Sequence, residues 1–193
     1  SGHAGMVMKR AVYLAQISTQ YGQSLFLPYS VGVLQAYAQT RPEICDAYAF
    51  KGFLVRREPV AEVVARLEAP ALLGLSCYLW NWEYSKALAQ AVKAAYPRCM
   101  VIMGGPQVPE RSEEFFKEHH SIDILVHGEG ERTFAEILWR LLDEGTWNFT
   151  DIDGISFRAV ENCGTIQTRP SPRIHDLTPL PSPYLTGLFD PLL

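Results

Sequence analysis

Two glycine-bearing turns hold the residues of this chain best suited to chemistry: Gly104-Gly105-Pro106-Gln107 and Gly128-Glu129-Gly130-Glu131. The first follows the apolar run Met100-Val101-Ile102-Met103, the second follows Ile122-Asp123-Ile124-Leu125-Val126, and each opens a helical pattern. Glycine admits positive φ and, lacking a β-carbon, lets a ligand approach the main chain. Backbone N–H groups at such turns favour anions. Neither turn, however, matches GxGxxG or the lysine-bearing phosphate loop. Glu129 and Glu131 would also repel a phosphate set directly on the second turn. Their carboxylates suit hydroxyl or amide donors, such as ribose hydroxyls or carboxamide arms. The plainer alternative is that both turns are simply tight strand–helix connections.

A third stretch, Ser76-Cys77-Tyr78-Leu79-Trp80-Asn81-Trp82, closes another apolar run. Its hydroxyls, amide and large aromatics suit the rim of a pocket for a broad planar ligand. Packing against neighbouring helices is the favoured reading for Trp82, and for Trp80 both readings stay open. Histidines offer less. His119, His120 and His175 sit in charged or loop segments, and His127 precedes Gly128 with no catalytic partner in sequence. No nucleophile elbow, HExxH or acid–base pair is present, so nothing in this chain is equipped to run a reaction alone.

The elements that position these residues alternate regularly. Val12 to Ile17, Ala47 to Val55, Ala71 to Cys77 and the two runs named above read as five strands. Helical stripes follow Pro28 (Val31, Leu34, Tyr37, Ala38) and Pro59 (Val60, Val63, Val64, Leu67). Three more cover Tyr84 to Ala95, Ser112 to His119, and Phe134 to Leu142. Five strands alternating with five helices predict a doubly wound parallel α/β sheet in flavodoxin-like (Rossmann-like) order, in which ligands lie beyond the carboxyl ends of the strands. Ile155 to Arg169 then alternates around Glu161-Asn162-Cys163-Gly164 as a β-hairpin. From Pro170 there are six prolines in 24 residues, which predicts an extended strap. The organisation read is an α/β domain over 8–148, then hairpin and Pro-rich linker over 149–193.

At 193 residues, 48% apolar and 20% charged, the chain has the makings of a globular fold. A net charge of −4 with interspersed signs points away from nucleic acid. Apolar runs such as Ala69 to Leu75 are too short to span a bilayer. Ser1-Gly2-His3 reads as an expression scar, with native sequence from Met6 or Met8 and no secretory leader. Cys45, Cys77, Cys99 and Cys163 show no zinc or iron–sulfur spacing, and a reducing cytoplasm is the simplest setting.

The series Gly74-Leu75-Ser76, Gly104-Gly105-Pro106, Asp123 and Gly128-Glu129-Gly130-Glu131-x-Thr133-Phe134 resembles the N-terminal cobalamin-binding domain of cobalamin-dependent radical SAM enzymes. Pro28 to Leu34, Gly154 to Arg158, Gly164, Ile174, Asp176-Leu177 and Leu180 to Tyr184 extend the resemblance over nearly the whole chain. It implies a methyltransferase parent whose radical SAM domain, with its CxxxCxxC iron–sulfur cluster and S-adenosylmethionine, lies beyond this fragment. The fragment alone is then expected to be inactive. The loop after the first strand, Ser18-Thr19-Gln20-Tyr21-Gly22, lacks the Asp-x-His-x-x-Gly histidine, so the resemblance implies base-off cobalamin with no protein nitrogen on cobalt. It places the dimethylbenzimidazole tail near Ser76, Gly104, Gly105 and Gly128, and the corrin near Tyr78, Leu79, Trp80 and Asn81. Ser18, Thr19, Gln20, Pro106, Gln107, Glu129, Gly130 and Glu131 complete the expected cofactor-binding set. A flavodoxin-like FMN-binding or signalling module is the alternative, and a docking module with purely structural glycine turns is a third.

Overall fold

Apolar runs and glycine turns fold into one twisted sheet in the computed structural model, which describes residues 7–19, 26–143, 148–159, 164–173 and 180–193. Of the sequence expectations, Gln20, Glu161 to Cys163, Ile174, His175, Asp176 and Leu177 lie outside the described residues.

The strands are β1 (Arg10–Ala15), β2 (Tyr48–Phe50), β3 (Pro70–Ser76), β4 (Met100–Gly104), β5 (Ile124–Val126), β6 (Ile155–Arg158) and β7 (Thr165–Gln167). They form a seven-stranded sheet in the order β2-β1-β3-β4-β5-β6-β7. The first five are parallel in flavodoxin-like order, as expected. The hairpin lengthens that same sheet: β6 pairs antiparallel with β5 and β7 with β6. This pairing covers the open edge that the three-residue β5 would otherwise present.

Helices α1 (Tyr29–Ala38), α2 (Pro42–Ala47) and α6 (Glu131–Arg140) contribute to the core on one face. The other face packs α3 (Val60–Ala65), α4 (Trp82–Ala95) and α5 (Ser112–Glu118). Strand alternation sorts the residues: Leu14, Leu72, Ile102 and Val126 lie in the first core; Tyr13, Leu73, Val101 and Leu125 lie in the second. Trp82 packs against the second core, where its ring lies 5.7 Å from that of Phe115.

Three local differences have physical causes. Helix α2 takes Ala47 from the expected second strand, because Pro42 opens a turn of helix too short to leave a periodic signature. Strand β2 is correspondingly short; beyond Lys51 and Gly52 the chain rejoins β1 through a single bridge between Ala15 and Leu54. The tail, expected to be extended from Pro170 onward, is folded over the described residues 180–193, where local hydrogen bonds close turns: Thr186 N–H donates to the Ser182 carbonyl at 3.0 Å, and Gly187 turns the chain at φ 74°.

Two motif residues explain themselves as struts. Asp123 accepts hydrogen bonds from Lys93 Nζ (2.5 Å) and Val101 N–H (2.8 Å) at the start of β4. Arg158 donates to the carbonyls of Phe116 and His119 (2.7 Å each), closing the C-terminal end of α5. No helix among the described residues is long and apolar enough to cross a membrane.

Candidate ligand-binding site

Small residues at the top of β3 and β4 open a trough in the sheet. In register, Gly74 stands between Leu14 and Ile102, and Ser76 stands beside Gly104 on the same face. Helices α1 and α6 flank this trough. Between them lies a cavity of about 610 Å³, within the range of small-molecule sites. Val31, Ile102, Val126 and Phe134 give it an apolar interior, while Gly104-Gly105-Pro106 and His127 to Glu131 form its rim.

The two glycine turns have different roles. Gly105 has φ 98°, and a β-carbon there would stand 2.5 Å from the carbonyl oxygen and 2.7 Å from the amide nitrogen of Cys77. That turn is fastened to the end of β3 by Cys77 N–H to Gly104 O (2.8 Å) and Gln107 N–H to Cys77 O (3.2 Å). Gly128 has φ 74°, yet a β-carbon there would meet no atom within 4 Å. Its backbone faces open space at the cavity rim.

Among the expected site residues, Ser76, Tyr78, Gly104, Gly105, Pro106, Gly128, Glu129, Gly130 and Glu131 line this one cavity. Ser18, Thr19, Leu79, Trp80, Asn81 and Gln107 do not line it. Asn81 is fully buried: its amide donates to the carbonyls of Ile17 (3.0 Å) and Ser76 (3.1 Å) and accepts from Tyr78 N–H (2.8 Å). It ties the ends of β1 and β3 together. Ser18 is buried, with its N–H on the Val55 carbonyl at 2.9 Å. Tyr78 and Trp80 stack with centroids 4.6 Å apart and planes 10° from parallel, and the half-exposed Trp80 donates its indole N–H to Ile17 O. Leu79 stands exposed beside them.

The α1 wall was only partly legible. Gln16 Oε1 accepts from Ser30 N–H (3.0 Å) and Val31 N–H (3.3 Å), so a side chain from β1's end caps this helix. Tyr78 and Ser30 hydroxyls share a 2.6 Å hydrogen bond, joining the third strand end to the same helix. The reach from Gln16 to Ser30 leaves no local sequence signal.

Electrostatics at the rim are specific. The Glu131 Oε2 atom is buried and has no hydrogen-bond partner. Histidine 127 shares a 2.8 Å hydrogen bond between Nε2 and Ser156 Oγ, and burial holds it below the ordinary histidine range against the opposing pull of Glu110. It is therefore neutral at pH 7. Burial pushes the Cys77 and Cys99 thiols up to about 12, so both behave as core atoms. No cluster of three or more metal-ligating side chains occurs among the described residues.

Residues 29–138 match the B12-binding domain family, from the first residue of α1 into α6. This chain belongs to that family. The match therefore spans both helices that wall the cavity, and cobalamin is the B12-binding domain's cofactor, as the motif resemblance implied. The chain is 37% identical over 165 residues to the 2-(S-pantetheinyl)-carbapenam-3-carboxylate methyltransferase of Streptantibioticus cattleyicolor, covering 86% of this chain and 24% of that protein. It is 38% identical over 166 residues to the cobalamin-dependent radical SAM methyltransferase TokK of Streptomyces tokunonensis, with coverage of 86% and 24%. In fold it matches the cobalamin-dependent S-adenosylmethionine radical enzyme OxsB, solved with aqua-cobalamin and S-adenosylmethionine bound. There the TM-score is 0.69 at 16% identity, over 95% of this chain and 25% of that one. This B12-binding domain thus spans about a quarter of the length of the curated relatives it matches.

Proposed function

We propose that this B12-binding domain presents base-off methylcobalamin within a longer radical SAM methyltransferase that alkylates a carbon centre. The iron–sulfur cluster, S-adenosylmethionine and the substrate belong, in this proposal, to a radical SAM domain elsewhere in that protein. A cytoplasmic setting belongs to the same proposal and accords with the buried, reduced thiols of Cys77 and Cys99.

The observation that carries the reading is the apolar cavity above Gly74, Ser76 and Gly104, with one unpartnered carboxylate oxygen at its edge. Its shape and chemistry fit the nucleotide tail of cobalamin. Val31, Ile102, Val126 and Phe134 would enclose the dimethylbenzimidazole, and Glu131 Oε2 would accept a hydrogen bond from a ribose hydroxyl or an amide arm. Tyr78, with Trp80 stacked on it, would meet the corrin, beside Leu79 and the Ser18-Thr19 end of the first loop. Gly104, where an added β-carbon meets nothing closer than 3.6 Å, and Gly128, where it meets nothing within 4 Å, leave the rim open for the chain of atoms between ring and tail.

A tail held in this slot by Val31, Ile102, Val126 and Phe134 would be withdrawn from cobalt, giving base-off cobalamin. No histidine occurs between Gln16 and Pro28 to replace it, and His127 is engaged with Ser156. Bound there, methylcobalamin supplies the methyl group to be transferred. The chain's own residues bind the tail, exclude water from it and orient the ring.

FMN is the weaker occupant. Its phosphate needs free N–H donors, and those of Ser30 and Val31 are taken by Gln16, while Glu129 and Glu131 flank the other turn. Titration of the purified chain with hydroxocobalamin and methylcobalamin, followed by absorption spectroscopy, tests the proposal. Stoichiometric binding with a base-off spectrum is expected. No binding, a base-on spectrum, or retention of FMN instead would overturn it.

A further inference from the structure

The described C-terminal segment packs against α1, the helix that forms one wall of the cavity. Gly32 lies inside α1, where glycine is among the least favourable helix residues. Its reason is Phe189. A β-carbon on Gly32 would stand 2.5 Å from Phe189 Cζ, 2.7 Å from Cε1 and 3.0 Å from Pro183 Cβ. The ring thus rests on bare helix backbone. Phe189 is 1% exposed, yet it belongs to neither of the two cores that flank the sheet.

From Phe189 the contacts lead straight to the ligand cavity. Its ring meets Phe53 at 5.9 Å and Tyr184 at 5.0 Å, both edge to face. Tyr184 in turn stacks on Tyr29 at 6.1 Å, and Tyr29 lines the cavity. The segment carrying these rings is internally tied. The Thr186 hydroxyl donates to Ser182 O at 3.0 Å, Leu188 N–H to Pro183 O at 3.2 Å, and Gly187 supplies the positive φ of the turn.

We infer that Phe189, seated on Gly32, is a positioning residue for the ligand cavity: it holds α1 in place and so fixes the width of the slot. Gln16 and Tyr78 secure the N-terminal end of α1 at Ser30 and Val31, and Phe189 secures its flank at the next residue, Gly32. The effect on affinity rests on the proposal that the cavity receives the cobalamin tail; the mechanical coupling does not.

The test compares wild type, Phe189→Ala, Gly32→Ala and the double variant by two readouts. Hydrogen exchange of the α1 amides is read without ligand, and hydroxocobalamin affinity is read by titration. In Phe189→Ala, exchange across α1 is expected to rise while β4 stays protected. Affinity should fall about tenfold, the equivalent of about 1.4 kcal/mol. Gly32→Ala should have the same two effects in the wild-type background and smaller ones in the Phe189→Ala background, where of the three close atoms only Pro183 Cβ still crowds the added methyl. Unchanged α1 exchange, unchanged affinity in a folded variant, or equal harm from Gly32→Ala in both backgrounds overturns the inference. If wild type binds no cobalamin, the cofactor reading has failed, and exchange with the double variant decides the clamp alone. Phe189→Leu serves for both readouts should Phe189→Ala not fold.

Discussion

Gly105 lies against the backbone of Cys77 so closely that a β-carbon would stand 2.5 Å from the Cys77 carbonyl oxygen. From sequence, Gly105→Val looks like a way to block the ligand and spare the fold. The contact makes it a folding variant, because the obstructing atoms are main chain at the end of a central strand. Gly105→Ala is expected to destabilise by roughly 2–5 kcal/mol, combining left-handed strain at φ 98° with overpacking. Urea unfolding checks this, and a midpoint equal to wild type would contradict the assignment.

Gly104 is the position at which the slot can be blocked cleanly. Its φ is not positive, it ends β4, and an added β-carbon meets Val126 Cβ at an ordinary 3.6 Å. Valine suits a strand and would project from the trough floor beside Ser76. Gly104→Val is therefore expected to unfold within about 1 kcal/mol of wild type while losing cobalamin affinity by about a hundredfold or more. Retained affinity in this variant would move the ligand out of the cavity.

Much of this was legible in the chain, for identifiable reasons. Apolar runs ending in Ser76, Gly104 and Val126 report strands because burial on both faces demands them, and the two glycine turns mark strand ends, one open at Gly128 and one closed against Cys77 at Gly105. What escaped depends on side-chain contacts that leave no periodic signature. Asn81 has the composition of a ligand contact, but its amide is consumed by Ile17, Ser76 and Tyr78. Gln16 caps a helix that begins beyond a loop, and Gly32 makes sense only once Phe189 is seen against it. Gly74 carried a motif signal without a mechanism. The register beside Leu14 and Ile102 supplies one, since a glycine there lowers the floor of the trough.

Histidine 127 gives the fold a dependence on pH. Burial is the main cause of its lowered pKa, so the folded chain binds a proton less readily than the unfolded chain, which titrates near 6.5. Above that value the contribution to stability is complete. As pH falls below it the unfolded state takes up protons first, and stability declines until the folded state's own value is passed. His119 shifts in the same direction, through burial and then Lys86. Urea midpoints are expected to fall between about pH 7.5 and about pH 5.5, and His127→Gln should flatten that slope without abolishing it. A slope identical to wild type would show that His127 is not the group responsible.

Glu131 should separate stability from binding most sharply. Its Oε2 is a buried acceptor with no partner, a state that costs the fold about 1–3 kcal/mol. Against this, its charge in the first turn of α6 gains about 0.3–1 kcal/mol from the helix dipole. Removing the carboxylate in Glu131→Ala is therefore expected to leave stability unchanged or raised. Binding should move the other way. A hydrogen bond from a ligand hydroxyl or amide to a charged acceptor is worth about 1.5–3 kcal/mol, so hydroxocobalamin affinity should fall by roughly 10- to 150-fold. Calorimetric titration beside thermal unfolding reads both signs on the same protein. A loss of stability with intact affinity would mean that the carboxylate serves α6 rather than the ligand.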